Sequence, residues 1–196
     1  FSPEPTGIGK YNGEMINWLA ANGYTCTVIT TYPYYPHWKV QGSYAKSSFF
    51  YKTETVQSNG SSSVTVLRCP HYVPQNPTGF RRILSDATFF LSAFFRLLPL
   101  LFIRKYDLVI TVVPAFHIGL LGLFYKKIKG AAFLYHIQDL QIEAAQQLGM
   151  IKSDKALRFL YGTERMILNG ADQVSTISEG MLKKVQKKSK RPVSLF

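Results

Sequence analysis

The chain has 196 residues, 46% of them hydrophobic and 17% charged, and its formal net charge is +12. This composition excludes wholesale disorder, allows one domain with a sizeable core, and predicts an anionic partner such as nucleic acid, a phosphorylated ligand or an anionic membrane. The two cysteines, Cys26 and Cys69, are too few for a disulfide framework, so we expect buried thiols in the reducing cytoplasm.

The first elements are a glycine loop and a helix. Gly7 and Gly9 lead directly into an amphipathic helix predicted over 7–22. Such a loop is useful mainly when a strand feeds it, and no strand precedes this one. We therefore expect the first strand of the fold to lie upstream of Phe1. The β-branched segment 24–31 predicts the next strand, which should be buried.

Two segments rich in turn-forming residues follow that strand. The loop 32–46 is broken by prolines and carries Tyr34, Tyr35 and Trp38 at a strand end, where flat rings stack on sugar or base faces. The alternative is that this loop packs its own aromatic rings. The cluster 58–63 lies between two short strand-like segments and predicts a hairpin or two short strands.

An extremely apolar helix is predicted over 81–103. Its most apolar stretch, 87–103, is too short and too interrupted, by Arg96 for example, to be a membrane span, which needs about 20 apolar residues. Two interpretations remain: a core helix, or an interfacial helix whose aromatic residues enter an anionic headgroup layer. The bracketing basic residues favour the second. The residues expected to face the membrane are Phe94, Arg96, Arg104 and Lys105.

Strands and helices alternate through the second half of the chain. The predicted order is strand 107–113, helix 117–128, strand 131–136, helices 139–149 and 154–169, strand 172–178 and a last helix capped by Ser178. Continuous apolar strands separated by helices indicate parallel βαβ units covered on both faces. The sequence therefore predicts one α/β domain with a mainly parallel sheet.

One histidine follows an apolar strand directly. Ligands of open α/β sheets bind at the carboxyl ends of the strands, and there His136 could donate to a substrate oxygen or move a proton. A structural histidine is the alternative. Asp139 is expected to cap the next helix. No Cys/His cluster has metal-ligand spacing, and the glycines fit the dinucleotide fingerprint poorly, so we expect neither a metal nor NAD.

The chain as a whole resembles the N-terminal domain of bacterial retaining glycosyltransferases of the family 4 type, in the group of the colanic acid biosynthesis glycosyltransferases. Five segments carry the resemblance, in order: FSPEPTGIGKYNGEM, TTYPYYPHWKV, LRCPHYVPQNPTGFRRIL, LYHIQDLQIEAAQQLGM and STISEGM. The resemblance implies a two-domain GT-B enzyme, of which residues 1–196 are the Rossmann-like, three-layer acceptor half with its first strand trimmed. The donor-binding C-terminal half would be absent from this chain.

The resemblance also implies roles for particular residues. The catalytic histidine beside the reacting sugar would be His136. The loop over the donor diphosphate would be Gly7, Ile8 and Gly9. The acceptor side would be lined by Tyr34, Tyr35 and Trp38. The remaining cleft-lining residues would be Asp139 and Ser178.

The implied reaction transfers a sugar, with retention, from a nucleotide-diphosphate sugar to a lipid-linked or polysaccharide acceptor in cell-surface or exopolysaccharide biosynthesis. No cofactor or metal is implied, and we expect no nucleic acid partner. We expect a cytoplasmic enzyme at the inner membrane face, and an inactive isolated fragment. One alternative is a non-catalytic nucleic-acid-binding domain, which the net charge of +12 and the aromatic residues support, and another is a membrane-docking domain. Much of the charge lies in 126–129 and the tail 183–191. A merely solvated helix face would also explain that tail.

Overall fold

The computed structural model describes residues 1–57, 63–103, 105–151 and 153–196. The turn cluster 58–63, except Ser63, and the predicted membrane-facing residue Arg104 lie outside the described residues. The chain divides into two compact units, Phe1–Pro99 and Leu100–Phe196. The single-domain organisation over 1–196 stays a prediction.

The first unit is a small three-stranded sheet with helices. Its elements in chain order are α1 (Gly7–Ala21), β1 (Cys26–Thr31), β2 (Lys52–Gln57), β3 (Ser63–Cys69) and α2 (Gly79–Leu97). The strand order is β1-β3-β2, with β1 parallel and β2 antiparallel to β3. The predicted hairpin pairing of β2 with β3 is therefore confirmed.

The central strand β3 is covered on both faces. Val64 and Val66 pack with Ala20 of α1 and are at most 1% exposed. Cys69 has the opposite parity in the strand and lies beside Ser92 of α2. Because successive side chains of a strand point to opposite faces, α1 and α2 cover opposite sides of this sheet. The first unit thus has three layers.

The second unit is a parallel sheet with helices between its strands. Its elements in chain order are α3 (Leu100–Ile103), β4 (Leu108–Val113), a 3₁₀ turn (Phe116–Ile118), α4 (Gly119–Lys129), β5 (Ala132–Ile137), α5 (Gln141–Gln147), α6 (Asp154–Gly170), β6 (Gln173–Thr176), α7 (Glu179–Gln186) and β7 (Val193–Leu195). The strand order is β4-β5-β6-β7, and every pair is parallel. The predicted α/β class with a mainly parallel sheet is confirmed.

The core of the second unit depends on a close approach of α4 to β5. Phe133 and Tyr135 of β5 are at most 1% exposed. A Cβ on Gly122 would lie 2.3 Å from Cε2 of Phe133, and one on Gly119 would lie 2.7 Å from Cε2 of Tyr135. Only glycine at these two positions lets the helix backbone rest on the aromatic rings.

Candidate functional site

The glycine loop opens α1 in the first unit. Gly7 has φ +61°, a left-handed conformation that favours glycine, and the Thr6 side chain does not cap the helix. A Cβ on Gly7 would lie 3.6 Å from the ring of Tyr35, so the structure brings these two predicted site residues together. A Cβ on Gly9 would lie only 2.3 Å from Oε2 of Glu4. The absence of a side chain at Gly9 therefore makes room for the Glu4 carboxylate.

Glu4 is a site residue that the sequence analysis missed. Its side chain is buried, and Oε1 accepts hydrogen bonds from the backbone N–H groups of Tyr34 and Tyr35, both at 3.0 Å. Its Oε2 lies 3.2 Å from the backbone nitrogen of Phe1. One carboxylate thus holds the glycine loop and the aromatic loop together. Tyr34 and Tyr35 lie 30 and 31 residues further along the chain, so no local sequence pattern predicts their contact with Glu4.

The aromatic loop is partly packed on itself. The ring of Tyr34 meets Trp38 edge-on at 5.5 Å and His71 at 5.0 Å, and burial raises the pKa of Tyr34. The guanidinium of Arg82 lies 5.1 Å from the centre of the Trp38 ring. Self-packing therefore accounts for Tyr34 and Trp38, whereas Tyr35 is 43% exposed. Of the three predicted acceptor residues, Tyr35 presents the most open ring.

A buried arginine beside the loop forms hydrogen bonds through all three of its side-chain nitrogens. Arg68 is 2% exposed and borders a cavity of about 210 Å³. Its Nε donates to Glu54 at 3.0 Å, its Nη1 to the carbonyl of Thr31 at 3.2 Å, and its Nη2 to the carbonyl of Ser2 at 2.6 Å. All three nitrogens are engaged, so Arg68 fastens the N-terminal segment to the sheet.

His136 lies inside β5, which runs over Ala132–Ile137 and so ends one residue later than the predicted strand 131–136. Its side chain is 3% exposed, and its Nδ1 shares a hydrogen bond with Oγ of Ser175 at 2.8 Å. The ring of Phe196 packs edge-on against the imidazole at 4.9 Å. Burial lowers the pKa of His136, so the imidazole is neutral at pH 7.

Ser175 is a second residue that the sequence analysis missed. The pairing of β5 with β6 places it directly opposite His136. The hydroxyl fixes the orientation of the imidazole through Nδ1. Ser175 could have been predicted only from the register of the two parallel strands, and that register can be derived only when the boundaries of both strands are known.

The two remaining cleft candidates behave differently. Oγ of Ser178 accepts from the backbone N–H of Met181 at 3.3 Å, so the predicted cap of α7 is confirmed. The predicted cap by Asp139 is wrong. Its Oδ1 accepts from the adjacent N–H of Leu140 at 2.8 Å, and no side chain caps α5. The hydrogen bond from Leu140 engages the Asp139 carboxylate just before α5 begins at Gln141.

The residues predicted to face a membrane differ in their surroundings. Phe94 is half-buried, and Nη2 of Arg96 donates to Thr53 while its guanidinium lies 5.6 Å from the ring centre of Tyr51. Arg96 is thus tied to the domain and does not project freely, whereas Lys105 is exposed. By length and composition alone, the helical stretch Gly79–Ile103 could cross a membrane, and 22% of its most apolar window is buried.

The basic tail is partly neutralised inside the second unit. Nζ of Lys188 lies 2.7 Å from Oε2 of Glu164 and also binds Glu143. Burial raises the pKa of Glu164 although Lys188 donates to it. Part of the tail therefore serves the fold. Among the residues that the structure describes, no group of three or more His, Cys, Asp or Glu could hold a metal ion.

Comparison with known proteins gives two findings. A family model described as "Glycosyl transferase 4-like domain" matches residues 6–193. The chain is also 40% identical over 193 residues to a protein of Escherichia coli (strain K12) named as a colanic acid biosynthesis glycosyl transferase, WcaI. The alignment covers 96% of this chain and 45% of that relative, so the chain spans about half the length of the curated relative it matches.

Proposed function

The chain belongs to the glycosyl transferase 4-like domain family, and from this premise we propose that it is the acceptor half of a retaining GT-B glycosyltransferase. The enzyme would transfer a sugar from a nucleotide-diphosphate donor to a lipid-linked or polysaccharide acceptor in cell-surface or exopolysaccharide biosynthesis. The observation that carries the proposal is the family match over residues 6–193, which includes the glycine loop and His136. A relative named for colanic acid biosynthesis supports the polysaccharide acceptor.

The glycine loop would act on the leaving diphosphate. The N-terminus of α1 has no side-chain cap from Thr6 and no acidic residue in its first turn. Its backbone N–H groups and helix dipole would favour anionic oxygens near Gly7, Ile8 and Gly9. Donors fixed in place before the reaction stabilise negative charge as it develops on the leaving group. The exposed ring of Tyr35 beside this loop would offer a flat face to the acceptor sugar.

His136 would act beside the reacting sugar. Ser175 occupies Nδ1, so Nε2 is the nitrogen left to donate to, or take a proton from, a substrate oxygen. The imidazole is neutral at pH 7 because burial lowers its pKa. Phe196 packs against the ring, so the Phe196 side chain must move aside when a substrate binds.

The deciding experiment is product analysis with the full-length protein. It would be incubated with a panel of nucleotide sugars and membrane-extracted or polysaccharide acceptors, and products identified by mass spectrometry and by the NMR coupling of the anomeric proton. We expect consumption of one donor that depends on the acceptor, with retained configuration. No transfer from any donor, together with salt-sensitive gel shifts of single-stranded oligonucleotides, would favour the nucleic-acid alternative.

A further inference from the structure

The apolar side of α2 points away from its own sheet. The residues that α2 buries are mostly small or polar: Ser85, Ser92, Ala93 and Leu97. Five of its large apolar residues are instead exposed: Phe80 by 75%, Ile83 by 58%, Leu84 by 41%, Leu91 by 55% and Phe95 by 59%. These five recur at helical spacing and share one face, called here the outer stripe of α2. A helix that only supported the core would bury that face.

The loop before β2 adds two more exposed rings. Phe49 is 80% and Phe50 71% exposed. The next residue, Tyr51, donates its hydroxyl to the carbonyl of Ser92 at 3.1 Å, which attaches this loop to α2. The first unit therefore exposes large apolar side chains on both the outer stripe and the attached loop. Seven large apolar side chains exposed on one unit are a candidate interaction site.

The basic residues near the outer stripe of α2 indicate what kind of partner binds this surface. Arg81 in the first turn of α2 and Lys46 in the loop before β2 are exposed, and the helix carries one acid, the half-buried Asp86. A second copy of this chain would bring the same basic residues and another net charge of +12 against them. An anionic lipid surface satisfies both the basic residues and the apolar stripe.

We propose that the outer stripe of α2, with Phe49 and Phe50, inserts into the headgroup layer of an anionic membrane. The helix would lie in the membrane plane, because Ser92, Ala93 and Leu97 stay packed against the domain. This inference goes beyond the proposed transfer reaction, since the surface would bind lipid whether or not sugar is transferred. It would hold the acceptor half at the surface where a lipid-linked acceptor resides.

Co-sedimentation of the full-length protein with vesicles tests the proposal. The protein should pellet with vesicles of phosphatidylcholine and phosphatidylglycerol and stay soluble with phosphatidylcholine alone. The combined variant Ile83→Ser, Leu91→Ser and Phe95→Ser should weaken binding by about tenfold or more, because three apolar side chains no longer leave water. The matched control is Phe159→Ser, which changes a side chain 72% exposed on α6 and should leave binding unchanged.

A second measurement guards against a folding defect in the triple variant. Cys26 and Cys69 are buried, so within this chain a fluorophore can be attached selectively to Leu91→Cys. Its emission should shift to the blue on anionic vesicles, whereas the same label on Phe159→Cys should not respond. An unresponsive label on Leu91→Cys, equal pelleting with neutral lipid, or self-association abolished by the triple variant would each overturn the proposal. The triple variant should still transfer sugar to a water-soluble acceptor, because the proposed membrane surface is separate from the proposed transfer reaction. This assay therefore tests the two proposals independently.

Discussion

Glu4→Ala removes the acceptor of two backbone hydrogen bonds at once. The N–H groups of Tyr34 and Tyr35 would lose their partner, and each buried, unpaired donor costs on the order of 1–3 kcal/mol. We expect the free energy of unfolding, measured in urea, to fall by at least that much. Glu4→Gln keeps a carbonyl oxygen and should lose less. The control Glu14→Ala breaks the exposed 3.9 Å ion pair with Lys10 and should lower the free energy of unfolding by about 0–1 kcal/mol. An equal loss of stability in both alanine variants would contradict the role assigned to Glu4.

The imidazole of His71 should make the fold acid-sensitive. It packs edge-on against Tyr34 and Phe89, and burial lowers its pKa from 6.5 to about 4. The unfolded chain therefore takes up a proton as the pH falls below 6.5, whereas the folded chain does so only near 4. This contribution to the free energy of unfolding is fully present above pH 6.5 and is lost as the pH drops towards 4, by about 3 kcal/mol.

Urea unfolding at a series of pH values measures this contribution. His71→Phe keeps a ring in the same cluster without the titrating nitrogen, so its stability should fall less between neutral pH and pH 4. Phe89→Leu alters the packing and leaves His71 in place, so it should keep the wild-type pH dependence. A His71→Phe variant with the full wild-type acid sensitivity would assign that sensitivity to other groups.

His136→Ala should reduce turnover in the full-length enzyme more than it weakens acceptor binding. The imidazole would move a proton in the transition state, and such a group contributes roughly 10²–10⁴-fold. Ser175→Ala frees the ring from its 2.8 Å hydrogen bond and should lower turnover by roughly tenfold through misorientation. His37→Ala, an exposed histidine of the aromatic loop, is the matched control. Unchanged turnover in His136→Ala would leave this histidine a core residue only.

Two helical glycines should respond in opposite directions to the same substitution. Gly122→Ala in α4 would place Cβ 2.3 Å from the fully buried ring of Phe133, so overpacking should cost about 1–3 kcal/mol. Gly162→Ala in α6 meets nothing within 4 Å and should stabilise the helix by about 0.5–1 kcal/mol. Thermal and urea unfolding measure both. Destabilisation by Gly162→Ala would show that α6 needs glycine for a reason other than space.

Strands that are apolar throughout could be predicted from the sequence, because burial on both faces leaves a continuous run of hydrophobic residues. β4 and β5 were found this way to within one or two residues. β7 could not be predicted, because a strand of three residues is too short to show a hydrophobic pattern and is recognised only by its pairing with β6. The outward orientation of the α2 stripe was left open, because an amphipathic pattern gives one apolar face without saying what covers it.

The candidate site was predictable only where a residue sits at a recognisable boundary. Gly7 opens a helix and Ser178 caps one, so local rules found both. Glu4 and Ser175 act on partners 30 and 39 residues away, and such contacts depend on strand register and loop placement. The sequence therefore indicated the loops of the site more reliably than the side chains that hold them.

Activity should require more than this chain. The chain spans 45% of the relative it matches, and the resemblance assigns donor binding to the other half of such enzymes. Without those groups the leaving diphosphate lacks most of its electrostatic stabilisation, although the α1 N-terminus is present. We expect the 196-residue chain alone to release no nucleoside diphosphate from any nucleotide sugar. The control is the full-length protein in the same assay, which should show release dependent on acceptor. Release of nucleoside diphosphate by the isolated chain would contradict the assignment of donor binding to the other half of the enzyme.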